Sequence, residues 1–236
     1  MLIKPLLAIT LLVALQGCGT TAKFVYPADV KDVRHIGDTF LPQSKVAVTP
    51  FKEKRGDENQ SGTYWLYLIP LMPYGYGTYQ RPEAARMFNT ISEFEFNVSE
   101  DLAKASVYSL KEAGVFQDVF FTFGGDKDKA DYLLEGEVLS TDYEGKLWTY
   151  GLSVQGPLLW LVGLPVGTSK NVLDIGLKLT NLHTNAVVWH KEYKKDTDIT
   201  QGLYYKDGYD ARGYTYLMQD IMNEAVEDIR QAISRK

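Results

Sequence analysis

Residues 171–182 alternate without a break: Val172, Asp174, Gly176, Lys178 and Thr180 fall on one side, Leu173, Ile175, Leu177, Leu179 and Asn181 on the other. Successive side chains of a strand point to opposite faces, so this order demands a strand with one apolar face that something must cover. His183-Thr184-Asn185 then turns the chain into residues 186–195, and the two segments read as an antiparallel pair. A two-stranded ribbon is not stable alone in water, so the pair must belong to a larger sheet.

Two helices are available as the cover. Over residues 98–113, Val98, Leu102, Ala105, Tyr108 or Ser109 and Ala113 recur at steps of three and four, widened by Val107 and Leu110. Asn97 and Glu100 have the layout of a capping box, and Gly114 supplies the C′ residue. Over 214–233, Leu217, Ile221, Ala225, Ile229 and Ile233 form a second stripe, flanked by Met218, Met222 and Val226. Residues 45–51, 115–123, 132–139 and 142–154 read as further strands, with Glu144-Gly145-Lys146 a tight turn or bulge in the last. The expected class is α+β, a mixed, mostly antiparallel sheet with two helices packed on one face, plus apolar loop insertions.

The amino terminus carries an address. Lys4 is followed by an apolar run from Leu6 to Leu15 of about ten residues, too short to span a bilayer and of the length of a secretory signal. Leu15-Gln16-Gly17-Cys18 resembles the lipobox of bacterial lipoproteins. That resemblance implies cleavage before Cys18, residues 1–17 as signal peptide, and acylation of the cysteine. Cys18 is the only cysteine, so no disulfide can form within the chain, and lipidation accounts for it. Each buried acyl CH₂ contributes about 0.8 kcal/mol and stable anchoring takes about two chains, so a triacylated Cys18 holds a chain permanently. Gly19 stands where enterobacterial lipoproteins retained at the inner membrane carry Asp, and by that rule the expected location is the outer membrane, on its periplasmic face.

The signal holds one basic residue, Lys4, which leaves 24 basic against 30 acidic side chains and a formal charge of −6. Such a chain gains nothing from phosphate backbones or anionic lipid surfaces, and nucleic acid is excluded as a partner. Residues 18–44, with Pro27, Pro42 and no sustained period, read as a lipidated linker, and 45–236 as a single periplasmic domain. Oligomeric state is not legible at this level.

Three segments together resemble a known group: Lys45-Val46-Ala47-Val48-Thr49-Pro50-Phe51, Leu110-Lys111-Glu112-Ala113-Gly114-Val115-Phe116, and residues 130–138, Ala-Asp-Tyr-Leu-Leu-Glu-Gly-Glu-Val. They are similar to periplasmic lipoproteins with the fold of the TolB amino-terminal domain, among them the curli-secretion and penicillin-binding-protein activator lipoproteins. The resemblance covers roughly residues 45–195, broken by insertions, and its motifs specify a scaffold rather than a site. It implies non-catalytic work as an assembly factor, secretion component or regulator at an envelope membrane, with an envelope protein as partner.

The insertions, at about 63–80 and 156–168, carry the functional signal. The first contains Trp65, Tyr67, Leu68, Leu71, Tyr74 and Tyr76, the second Leu158, Trp160, Leu161 and Leu164, both punctuated by Pro and Gly. Neither can be a spanning helix, and neither alternates as a membrane-spanning strand must. Surface loops are normally polar, so these side chains need cover. Three covers are open: they complete the core over the sheet; they form an exposed patch that meets a partner protein or a leaflet; or they line a groove for glycan or a lipid tail. The residues expected to touch a partner or membrane are Trp65, Tyr67, Tyr74, Tyr76, Trp160 and Leu161. A third cluster, Leu203, Tyr204, Tyr205 and Tyr209 with Tyr214 and Tyr216, precedes the last helix, and its rings are expected to be half exposed.

Catalytic and metal motifs are missing from the sequence. His35, His183 and His190 have no metal-ligand spacing, no G-x-S-x-G elbow or phosphate loop occurs, and Ser153 has no base nearby in sequence. Glu135 and Glu137 lie on one face of a strand about 6.6 Å apart, within reach of two-carboxylate chemistry, but their alternation with Leu134 and Val138 reads as a solvated face. Asp196 and Asp198 form only a fragment of a calcium loop. The expected function is that of a non-catalytic assembly, scaffold or accessory lipoprotein without cofactor or metal, the alternative a glycan- or lipid-binding module of the periplasm.

Overall fold

The alternating segment is one of two 15-residue strands around which the sheet is organised. In the computed structural model of the chain, residues 21–35, 41–60, 68–84 and 93–234 are described. Cys18, Trp65 and Tyr67 lie outside them. The strands are β1 (Thr21–Lys23), β2 (Leu41–Val48), β3 (Lys52–Glu53), β4 (Asn59–Gln60), β5 (Tyr74–Tyr79), β6 (Glu93–Glu95), β7 (Phe116–Phe121), β8 (Tyr132–Ser140), β9 (Tyr143–Trp148), β10 (Gly167–Asn181) and β11 (Val187–Gln201). The helices are α1 (Val98–Ala113), α2 (Pro157–Trp160) and α3 (Tyr209–Ser234).

Among the described residues nine strands form one mixed, mostly antiparallel sheet. Its main path is β4-β5-β9-β10-β8-β2-β7, with β11 on the other side of β10 and β3 beside β8. The β10–β11 hairpin pairs from Gly167 opposite Gln201 to Leu179 opposite Trp189, and Asn185, with φ of 56°, makes the turn. Only β2 with β7, and β2 and β3 with β8, run parallel within it. The class is α+β, as the alternation and the two amphipathic stripes imply.

The leucine face of β10 is the core face: Leu173, Ile175, Leu177 and Leu179 are wholly buried. They share one cluster with Leu102 and Leu110 of α1 and with Met218, Ile221, Met222, Ala225 and Ile229 of α3. The opposite face of β10 keeps its polar residues, and Lys178 there pairs with Glu135 at 2.7 Å. β11 is long and flanked, among the described residues, only by β10; Lys191 and Lys195 on its helix-facing side pair with Asp228 and Glu224 of α3, and these charges with Lys194 on the other side discourage pairing with another edge.

Several boundaries differ from the sequence reading. The capping box is not closed: Asn97 makes no side-chain cap, and the Asn97 amide donates instead to Asp101 Oδ2 at 2.8 Å, while Glu100 pairs with Lys104 at 2.7 Å. The helix still ends as expected, on Gly114 in the left-handed region at φ 70°. β2 starts at Leu41 rather than 45, and α3 begins at Tyr209 rather than 214. Glu144-Gly145-Lys146 neither turns nor bulges but lies inside β9, where a Cβ on Gly145 would meet the Tyr143 ring at 2.6–2.9 Å. β9 itself stops at Trp148, because the Thr149 and Tyr150 amides both turn to the Pro73 carbonyl at 2.9 Å. Part of the first insertion is strand: β5 pairs antiparallel with β9, from Tyr74 opposite Trp148 to Tyr79 opposite Tyr143.

Residues 21–35, read above as linker, are packed. β1 pairs parallel with β6. Phe24 stacks on Phe96 with ring centroids 4.8 Å apart, and the Tyr26 and Ser109 hydroxyls hydrogen-bond. The Ala28 and Asp29 amides donate to Gln219 Oε1 at 2.8 and 3.1 Å, and the Arg34 amide to Asn223 Oδ1 at 3.0 Å. No hydrophobic period marks such a strap, since each residue meets a different partner across the two helices.

Three buried tyrosines, Tyr26, Tyr193 and Tyr214, set an alkaline limit. Burial pushes Tyr26 up to about 12; burial and then the Asp228 carboxylate raise Tyr193; burial raises Tyr214. An unfolded tyrosine ionises near pH 10, so below that both states keep the proton and the stabilisation is complete. Above it the unfolded chain sheds protons that the folded chain holds, and stability falls as pH rises. Urea unfolding is expected to be flat up to about pH 10 and to lose stability steeply between about pH 10 and pH 12. Tyrosinate absorbance that rose near pH 10 for all rings in the folded protein would contradict this.

Candidate functional site

Four strands end at one edge of the sheet. Tyr74 of β5 lies opposite Trp148 of β9, Leu147 opposite Gly167 of β10, and Gly167 opposite Gln201 of β11. The chain beyond those ends, residues 68–73, 149–166 and 202–208, therefore converges there, and polar groups tie the three segments together. The Leu71 amide donates to the Gly151 carbonyl at 2.9 Å, Ser153 Oγ to the Leu68 carbonyl at 2.6 Å, and Thr149 Oγ1 to the Met72 carbonyl at 3.0 Å. The Tyr150 hydroxyl donates to the Pro165 carbonyl at 2.7 Å and the Trp160 indole to the Trp148 carbonyl at 2.8 Å. The Tyr204 hydroxyl reaches the Leu161 carbonyl at 3.0 Å and joins the third cluster to the second insertion.

Apolar side chains stand out from this stitched base. Leu71 is 89 % exposed, Val162 76 %, Tyr204 69 %, Leu158 62 % and Leu161 59 %, with Leu68, Val154, Leu164 and Leu203 also exposed. The core cover is thereby excluded for these residues, and the patch they form is an apolar platform. No charged residue occurs from Leu147 to Ser169 or from Leu68 to Tyr79. Leu71, Tyr150 and Ser153 hold left-handed backbone at φ 71°, 57° and 52°, an uncommon state for such residues that costs of order 1 kcal/mol each and clusters where function overrides local preference.

Apart from Tyr204 and Tyr205, which are exposed, the aromatic residues form the base rather than the tips. Trp148 meets the Tyr74 ring edge-on at 5.0 Å and the Tyr150 ring at 6.1 Å. Polar atoms favour this, since the Tyr150 hydroxyl and the Trp160 indole each find a carbonyl at the base and the Trp148 indole faces Thr168 Oγ1 at 3.4 Å, whereas Leu and Val need no partner. Of the residues singled out in the sequence, Leu161 is a tip, Trp160 is a half-buried pin, and Tyr74 and Tyr76 lie on β5 with ring centroids 6.4 Å apart. Leu71, Leu158 and Val162 were missed as contact residues; their signal was aliphatic bulk beside Pro and Gly in an uncharged stretch.

The other candidates resolve into structural partners. Ser153 is a loop pin. Glu135 hydrogen-bonds Lys178 and lies 3.6 Å from Lys52, contacts that hold its carboxyl below the usual carboxylate range and leave it no proton to donate at neutral pH. Asp196 pairs with Lys170 at 3.5 Å, His35 Nδ1 contacts the Glu112 carbonyl at 2.8 Å, and His183 Nε2 contacts Asp131 at 2.8 Å. Among the described residues no cluster of His, Cys, Asp or Glu could hold a metal ion, and no helix is long and apolar enough to cross a membrane. A surface depression of about 450 Å³ lies further along the sheet, lined by Glu58, Gln60, Asp142, Glu144 and Lys170 among others.

No family model matches the chain, and no curated protein matches it. Solved structures do. The chain is similar to a DUF330-family protein from Xanthomonas campestris, with a TM-score of 0.47 at 10 % identity over 92 % of this chain and 98 % of that one. It is similar to PelC of a dodecamer from Paraburkholderia phytofirmans, with a TM-score of 0.40 at 14 % identity over 82 % and 92 %. A neuraminyllactose-binding hemagglutinin homolog from Helicobacter pylori gives 0.35 at 10 % identity over 90 % and 91 %. At such identities these likenesses concern the course of the backbone alone.

Proposed function

We propose that this chain is a non-catalytic envelope lipoprotein, anchored through acylated Cys18 at the periplasmic face of the outer membrane, that acts as an assembly, scaffold or accessory factor by contact through its apolar platform. Membership of the TolB amino-terminal-like group belongs to this proposal. The observation that carries it is the platform itself: exposed, mainly aliphatic tips on a hydrogen-bonded, locally strained base whose two insertions carry no charge. Contiguous apolar surface of this kind is rare on a free monomer and marks an interaction site. A glycan groove is disfavoured, because Tyr74, Trp148 and Tyr150 turn toward one another.

Leu158→Asp combined with Leu161→Asp is expected to leave the melting temperature within about 2 °C, as exposed substitutions do, while failing to restore function to cells that lack the wild-type copy. A large fall in melting temperature would mean that these side chains support the core. Mass spectrometry of the mature protein should show a lipid-modified Cys18, and an unmodified cysteine would remove the anchor.

A further inference from the structure

The course of the amino-terminal strap indicates what covers the platform. Read from His35 back toward Thr21, the strap meets α3 first at Asn223, then at Gln219, and then, through Phe24 on Phe96, at Tyr214, whose ring is stacked on Phe96. It thus climbs toward the amino-terminal end of α3, and Val25 and Pro27 line a surface depression together with Arg212 and Tyr216. That end of the helix directly follows the Leu203–Tyr205 side of the platform. From Gln219 to Tyr209 the helix rises only about 15 Å. Cys18 is three residues before Thr21, so the chain allows it at most about 11 Å from that strand. The first described strand after Cys18 and the platform therefore both lie toward the amino-terminal end of α3.

The platform's chemistry points the same way. Its tips are uncharged and, Tyr204 and Tyr205 apart, aliphatic, and behind them stand the rings of Trp148, Trp160, Tyr74 and Tyr150, of which Trp160 and Tyr150 donate to carbonyls. Aliphatic tips above a Trp/Tyr belt match the depth profile of a bilayer interface. Apart from the adjacent Lys206 and Asp207, a charged protein surface would meet no complementary charge here.

We infer that the platform enters the same leaflet that takes the acyl chains of Cys18, so that the domain stands on the bilayer at two points with β9, β10 and β11 directed away from it. This rests on the lipoprotein reading above. Within the platform Lys206 is followed at once by Asp207, so the segment has no net charge and the contact needs no anionic lipid.

Cys18 is the only cysteine, so when it is acylated a second cysteine can be labelled alone. The acylated full-length product of Val162→Cys, and separately of Thr184→Cys, would carry an environment-sensitive fluorophore in vesicles of phosphatidylcholine only. Thr184 lies in the β10–β11 turn, about 45 Å from the platform along 15-residue strands. The probe at 162 should be quenched by lipid-borne nitroxides and lose roughly tenfold of its access to aqueous quencher, while the probe at 184 stays fully accessible. Adding Leu158→Asp and Leu161→Asp should return the probe at 162 to water without releasing the protein. A water-accessible probe at 162 on anchored protein would overturn the inference and leave the lipoprotein reading standing. Shielding seen only in native membranes containing other proteins would also overturn it, in favour of a protein partner. An unacylated Cys18 would overturn both.

Discussion

Tyr214→Ala is expected to lower stability by about 4–5 kcal/mol and the melting temperature by about 10–15 °C, measured by urea and thermal unfolding. Tyr214 is wholly buried in the second turn of α3. Its ring is stacked on Phe96 at 5.6 Å and meets Phe94 edge-on at 6.1 Å, so it joins the helix to the segment leading into α1. Its hydroxyl donates to the Thr141 and Asp142 carbonyls at 2.8 and 3.2 Å, where the chain passes from β8 to β9. Truncation removes the largest class of core side chain and leaves both carbonyls without that donor. Tyr214→Phe separates the two effects: it keeps the rings in contact and should cost only about 1–2 kcal/mol. Equal losses for the two variants would show that the hydroxyl, not the ring, holds this junction.

Gly156→Ala should act on the platform and spare the fold. Gly156 has φ of −51°, ordinary for alanine, so space rather than backbone freedom requires glycine. A Cβ there would lie 2.5–2.9 Å from the backbone oxygen, Cα and carbonyl carbon of Thr149. Thr149 cannot move away, because its amide and hydroxyl are both held by the 72–73 segment. The loop bearing Leu158, Leu161 and Val162 must therefore lift, at a local cost of about 2–3 kcal/mol. Circular dichroism should be unchanged while proteolytic cleavage within 150–166 accelerates roughly 50-fold. Gly125→Ala is the control, since no atom lies within 4 Å of its Cβ position. Unchanged proteolysis of the Gly156 variant would mean that the loop is held elsewhere.

Periodic elements were legible because their signal is repeated. Leu173, Ile175, Leu177 and Leu179 show the period of a strand, and the α1 and α3 stripes show the period of a helix, so each buried face is encoded several times over. The strap of residues 21–35 was not legible, because its contacts with Ser109, Gln219 and Asn223 span between 83 and 191 positions and follow no period. The end of β9 was misplaced for a similar reason. Residues 149–154 are apolar enough to continue a strand, and it is the Pro73 carbonyl, from another segment, that captures two of their amides.

By itself, the order of residues determined the α+β class, the leucine face that the helices cover, the uncharged apolar insertions and the cysteine beside the signal-like start. Those properties are local, written in neighbouring side chains. Tertiary structure decided that the two insertions and the tyrosine cluster form one surface, that aliphatic side chains rather than the insertions' rings are its tips, and that the amino-terminal strap approaches from the same end. Each of these depends on which strand ends lie side by side and on where a carbonyl is free to accept an indole or hydroxyl proton. Both arise only when distant parts of the chain pack together.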